Sequence, residues 1–145
     1  MANTADRCTD NYSNTNSGLC VFSNYMAFKG ARSNNKINGG SFVSNGTNMA
    51  INNESATFNI KNAYIHSNAT AIYNGNWYVS NGSADPGTYN ICSTTVYSNN
   101  YDINERNTGS YITYSNDNVF SNGTNTPDAS KVYGSVNATG AACSW

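Results

Sequence analysis

Leucine occurs once in the 145 residues, at Leu19, and glutamine not at all. Charged residues make up only 10% of the chain, against roughly 25% in an ordinary soluble domain. The missing helix formers exclude a helical protein, because the 28 Asn, 18 Ser and 14 Thr that replace them compete with the helix backbone for hydrogen bonds. The seven Lys and Arg are scattered from Arg7 to Lys131 and the net charge is -1. No basic face is available to neutralise a phosphate backbone, so nucleic acid is excluded as a partner. Long apolar runs are also missing: no stretch of 18 apolar residues reads as a membrane span, and none follows Met1 as a signal peptide. Low hydrophobicity with high charge would mean disorder, but here charge is low and 12% of residues are aromatic. The composition therefore describes an ordered all-β chain whose core is built from eight Ile, seven Val and the aromatic residues.

Four cysteines are present, Cys8, Cys20, Cys92 and Cys143, with neither a CxxC nor a Cys/His cluster, so the sequence implies no metal site. An even count in a chain rich in Ser, Thr and Asn fits two disulfides and an oxidising compartment, which makes a secreted or cell-surface protein the expectation. Three pairings are open. Cys8 with Cys20 and Cys92 with Cys143 is the expected one. Seven N-x-S/T sequons arise from Asn abundance alone.

A short unit recurs: an apolar residue, one variable residue, then Ser-Asn. Its copies begin at Val21, Phe42, Ile65, Tyr78, Val96 and Val119, and end at Asn24, Asn45, Asn68, Asn81, Asn99 and Asn122. Other offsets agree. Phe58 and Ile60 stand as far beyond Asn45 as Ile112 and Tyr114 stand beyond Asn99. A repeat of this length with short alternating strands and no helix predicts a solenoid. The residue opening each unit points inward and stacks on its equivalent in the next coil, with Ile65 and Val119 equivalent. The closing Asn takes left-handed backbone and turns the chain, and Asn24, Asn45, Asn68, Asn99 and Asn122 form an amide ladder. The short interval from Asn68 to Asn81 predicts an insertion over 77–87, since Ala71-Ile72 matches Ala50-Ile51 and Asp85-Pro86-Gly87 marks a turn.

The segments Phe58–Asn68 and Ile112–Asn122 resemble the I-x-N-x-x-I-x-x-N pattern of the right-handed parallel β-helices of the pectin-lyase-like superfamily. The resemblance implies a single domain over 1–145: an N-terminal cap at 1–18, five or six coils over 19–125, and a C-terminal cap at 126–145. It implies no single function, because the superfamily includes polysaccharide lyases and hydrolases, tailspikes and adhesins. The motifs of its pectin hydrolases do not surround Asp102 or Asp117, and Arg106 beside Glu105 is a thin match to its lyases. Separately, Leu19–Arg32 is similar to the first strand and turn of secreted βγ-crystallin-like peptidase inhibitors. Asn52–Thr57 is similar to their calcium motif, departing from it at Ala56.

His66 is the sole histidine and is placed outward, as a surface side chain and not a base. Outward positions also carry Phe22, Tyr64, Trp77, Tyr97 and Phe120, a candidate aromatic binding face. The resulting expectation is a non-enzymatic extracellular structural or adhesive protein, without cofactor, that associates with itself or with an extracellular glycan. Polysaccharide degradation, ice binding and peptidase inhibition are the alternatives. Ice binding would need one aligned rank of Thr, which Thr57, Thr95 and Thr113 do not form.

Overall fold

The computed structural model describes residues 20–78, 84–107 and 111–138. The expected N-terminal cap, Cys8 and Cys143 lie outside them. Fourteen short strands are found among the described residues: β1 (Cys20–Ser23), β2 (Phe28–Ala31), β3 (Asn34–Asn38), β4 (Ser41–Ser44), β5 (Ile51–Glu54), β6 (Thr57–Lys61), β7 (Tyr64–Ser67), β8 (Thr70–Tyr78), β9 (Ala84–Pro86), β10 (Thr88–Cys92), β11 (Thr95–Ser98), β12 (Tyr101–Glu105), β13 (Ile112–Tyr114) and β14 (Val132–Tyr133). They form three sheets without closing a barrel: sheet A is β1-β4-β7-β11, sheet B is β2-β5-β8-β12-β14, and sheet C is β3-β6-β10-β13. Every pairing within these three is parallel. The chain visits A, B and C in turn, and isolated parallel bridges at Thr95–Val119 and Thr113–Asn137 carry sheets A and C one step further.

The register explains why the core needs no leucine. Val21, Phe42, Ile65 and Val96 are direct partners in sheet A; Phe28, Ile51, Ile72, Ile103 and Val132 in sheet B; Ile37, Ile60, Ile91 and Tyr114 in sheet C. β-Branched and aromatic side chains stack well on such pleated ranks. Phe58 lies at the centre, stacked on Tyr89 at 5.2 Å between centroids and edge-on to Phe28 at 5.6 Å. Burying each Ile stabilises by about 1.5–3 kcal/mol, whereas one hydrogen-bonded amide rung contributes about 1 kcal/mol. The apolar ranks therefore hold the fold and the polar rungs set its register.

The recurring Ser-Asn pair turns the corner from A to B, but by its serine. Ser44 and Ser67 are buried and donate to backbone carbonyls, Ser44 Oγ to Tyr25 O at 2.7 Å and Ser67 Oγ to Asn48 O at 2.7 Å. Ser98 Oγ donates to Asp102 Oδ1 at 2.8 Å. The paired Asn residues 24, 45, 68, 99 and 122 are exposed, and none has positive φ. Left-handed backbone is found instead at Arg32, Ser55, Asn62 and Ser93, at the corners entering and leaving sheet C. The expected amide ladder is corrected likewise: Asn68 Nδ2 reaches only the backbone of Asn45, at 2.7 Å, and Asn122 folds back on Thr126 O at 3.0 Å. Amide-to-amide rungs run from Asn90 to Asn59 (2.9 Å), which are register partners, and from Asn62 to Asn38 (2.8 Å) at the corner leaving sheet C.

Three further expectations change. Val119 is 44% exposed and Phe120 2% exposed, so the last copy of the unit is slipped by one residue. The cause is Asp102, buried and bonded to the Ser121 amide and hydroxyl, which draws that turn inward and leaves Phe120 edge-on to Tyr114 at 5.2 Å. Of the copy that opens at Tyr78 only Tyr78 is among the described residues, and it ends β8, where Asn76, Trp77 and Tyr78 pair antiparallel with Pro86, Asp85 and Ala84 of β9, outside sheet A. Strand pairing also continues past Asn125, through β14 against β12. Nearby, Asp117 clasps the corner after β10 through Ser115 and Ser93, whose hydroxyls, Ser115 first, lower its pKa to about 2.

Cys20 and Cys92 are each disulfide-bonded. Cys20 opens the first circuit and Cys92 ends the third, at least two rungs away, or ~9.5 Å. That exceeds the Cα separation of about 7 Å that a disulfide tolerates. They are therefore not bonded to each other, which removes one of the three pairings.

Candidate functional site

On the inner side of the corner between sheets B and C, a polar column runs beside the apolar ranks. Gly30, Asn53, Asn74 and Glu105 are successive partners. Asn53 closes its corner by accepting from Ala56 N at 2.7 Å and donating to Ala56 O at 2.9 Å. Asn74 Nδ2 donates to Gly87 O (2.7 Å) and Glu105 Oε2 (2.9 Å), while Glu105 Oε1 accepts from Asn107 N (2.9 Å) and Asn107 Nδ2 (2.7 Å). Burial first, and the Glu105 charge second, hold the Tyr89 hydroxyl well above the usual tyrosine pKa. Thus the two most buried carboxylates, Asp102 and Glu105, are engaged in holding corners. The stretch Asn52–Thr57 is similarly taken up by the corner that Asn53 caps. Among the described residues no group of three or more His, Cys, Asp or Glu could hold a metal ion.

The five aromatic residues expected to share a face are dispersed. Phe22 is 45% exposed on the outside of sheet A, and Tyr97 is half-buried in the same rank, but Val43 and His66 stand between them, both buried. Tyr64 is buried in the neighbouring outward rank, Phe120 is in the core, and Trp77 lies opposite Asp85 in the hairpin. His66 is 4% exposed, its ring between those of Tyr64 (6.2 Å) and Tyr97 (5.4 Å), so the expected surface histidine is a packed one. Thr57, Thr95 and Thr113 stand in three different ranks.

A different set of residues forms a site. On the outer face of sheet B and the A–B corners beside it lies a groove of about 430 Å³, lined by Tyr25, Met26, Lys29, Asn48, Met49, Asn52, Glu54 and Tyr73. Alternation along β2, β5 and β8 turns Lys29, Asn52 and Tyr73 outward, one directly above the next. Lys29 Nζ meets Glu54 Oε2 at 2.8 Å, and Asn52 Nδ2 donates to Glu54 Oε1 at 3.0 Å, so the one carboxylate of the groove is held from both sides. Tyr25 is 67% exposed at the rim. Across from it the Tyr73 ring lies over Gly75: a Cβ on that glycine would come within 2.5 Å of Tyr73 Cε1. Gly75 thereby lets the ring settle close to the sheet while it lines the groove.

Compared with known protein families, curated proteins and solved structures, the chain has no match in any of the three. The geometry alone must carry the functional reading. Two aromatic rings, a fixed carboxylate, an amide and an ammonium around a shallow cavity can grip a polyhydroxylated ligand: rings against C–H faces, polar groups on hydroxyls. The linear pattern concealed this set, because its members come from three circuits and meet only through the register.

Proposed function

We propose that the protein is a non-catalytic extracellular adhesion module, a short right-handed parallel β-helix whose outer sheet B face binds glycan. The passage of the chain through three parallel sheets in fixed order supports the β-helix reading. Disulfide-bonded Cys20 and Cys92 support an oxidising compartment, and no helix among the described residues is long and apolar enough to cross a membrane. The observation that carries the binding reading is the Tyr73 ring seated over Gly75 beside the Lys29–Glu54–Asn52 cluster. Tyr73→Ala should weaken binding to a glycan-array hit about tenfold or more, ~1.4 kcal/mol, as loss of a central aromatic contact does. Unchanged affinity, measured by calorimetry on the folded variant, would remove the groove as the site.

Self-association is a second reading with its own support. Among the described residues β1, β2 and β3 each have a single sheet neighbour, and beside this edge lies a hollow of about 400 Å³ lined in part by Phe28, Ile37 and Phe42. Parallel strands at the end of a sheet, carrying little charge, invite another chain. Analytical ultracentrifugation should then show concentration-dependent oligomers; a monomer at every concentration would dispose of this reading.

A further inference from the structure

The groove is one end of a longer row. The outward rank of sheet B runs Lys29, Asn52, Tyr73, Asn104, Tyr133, each the direct partner of the next. Above the ion-paired Lys29 it alternates asparagine and tyrosine. With strands 4.7–4.9 Å apart, Tyr73 and Tyr133 stand two rungs, or ~9.6 Å, from each other along the stack. Tyr133 is 46% exposed, and the Arg106 guanidinium lies over its ring at 4.5 Å, which holds it in place. Asn52 and Asn104, the residues alternating with the two tyrosines, are buried, and each has a buried Oδ1 with no hydrogen-bond partner.

Resting on the glycan-binding reading, we infer that the row takes a linear, uncharged polysaccharide, extended along the stacking direction and seated on both Tyr73 and Tyr133. Successive rings of an extended chain turn over, so every second ring presents the same face, and tyrosines on every second rung meet that repeat. A single globular sugar has no use for the second tyrosine. The ligand is uncharged because the row's cations are committed: Lys29 to Glu54 at 2.8 Å, and Arg106 to the Tyr133 ring. Each added ring that reaches a second aromatic seat adds contact area without a desolvated charge.

The test is calorimetry with β-1,4-linked glucose, mannose and N-acetylglucosamine oligomers, from disaccharide to hexasaccharide, and with galacturonate oligomers as the acidic comparison. Affinity for a neutral series should rise about tenfold once the oligomer spans both tyrosines. Tyr133→Ala should abolish that rise and leave disaccharide binding at Tyr73 unchanged, while Tyr133→Phe, which keeps the ring, should retain it. A rise that survives in Tyr133→Ala, no dependence on length, or tighter binding of the galacturonates would overturn the inference while leaving a sugar site at Tyr73. If no oligomer binds, both the inference and the glycan-binding reading fall.

Discussion

Phe58→Ala should destabilise the protein by about 3–5 kcal/mol, the usual cost of emptying a buried aromatic site. Phe58 is fully buried, stacked on Tyr89 and edge-on to Phe28, so it links three consecutive circuits. Gly30 adds to the expectation. A Cβ there would lie 2.5 Å from Phe58 Cε2, which shows how closely backbone and ring are fitted. In the rank itself the first circuit offers only the half-buried Asn35, so no apolar register partner of that circuit can move into the cavity. Urea unfolding would measure the effect; a loss below about 1.5 kcal/mol would mean that the neighbouring circuits collapse into the space.

Glu105→Ala is expected to be comparably severe for a different reason. The carboxylate is 1% exposed and accepts from Asn107 N, Asn107 Nδ2 and Asn74 Nδ2. Removing it strands these donors in the interior at about 1–3 kcal/mol for each buried group left unsatisfied, so a total of about 3 kcal/mol or more follows. Against a typical stability of about 5–15 kcal/mol this is a large fraction. Glu105→Gln, which keeps the shape and one acceptor oxygen, should cost less than Glu105→Ala. Equal losses from the two variants would show that shape contributes nothing and that the ionised carboxylate, accepting through both oxygens, is what Glu105 supplies.

The apolar side of this architecture was legible in the sequence. Strict alternation and matched offsets placed Phe58 with Ile112 and Ile60 with Tyr114, and the register joins these pairs through Tyr89 and Ile91. The Ser-Asn unit was legible as a corner, but abundance drew attention to the asparagine when the buried serine makes the turn. Phe120 was misplaced because nothing near it in the chain reveals that Asp102, back in β12, sets the final turn. Of the proposed binding face little could be read. Asn52, Tyr73, Asn104 and Tyr133 follow one another at unequal intervals that conceal a straight row. Only the register makes them neighbours.

Those unequal intervals have a consequence of their own. The chain travels further from Ile60 to Ile91 than from Ile37 to Ile60 or from Ile91 to Tyr114, yet the three steps stack in line. The surplus falls between the parallel part of β8 and β10, where β8 runs on past its partners in sheet B to pair antiparallel with β9. Chain length at that edge is therefore decoupled from the body of the protein. It is where related sequences can differ most in size, and where a foreign peptide can be displayed at the least cost to the fold.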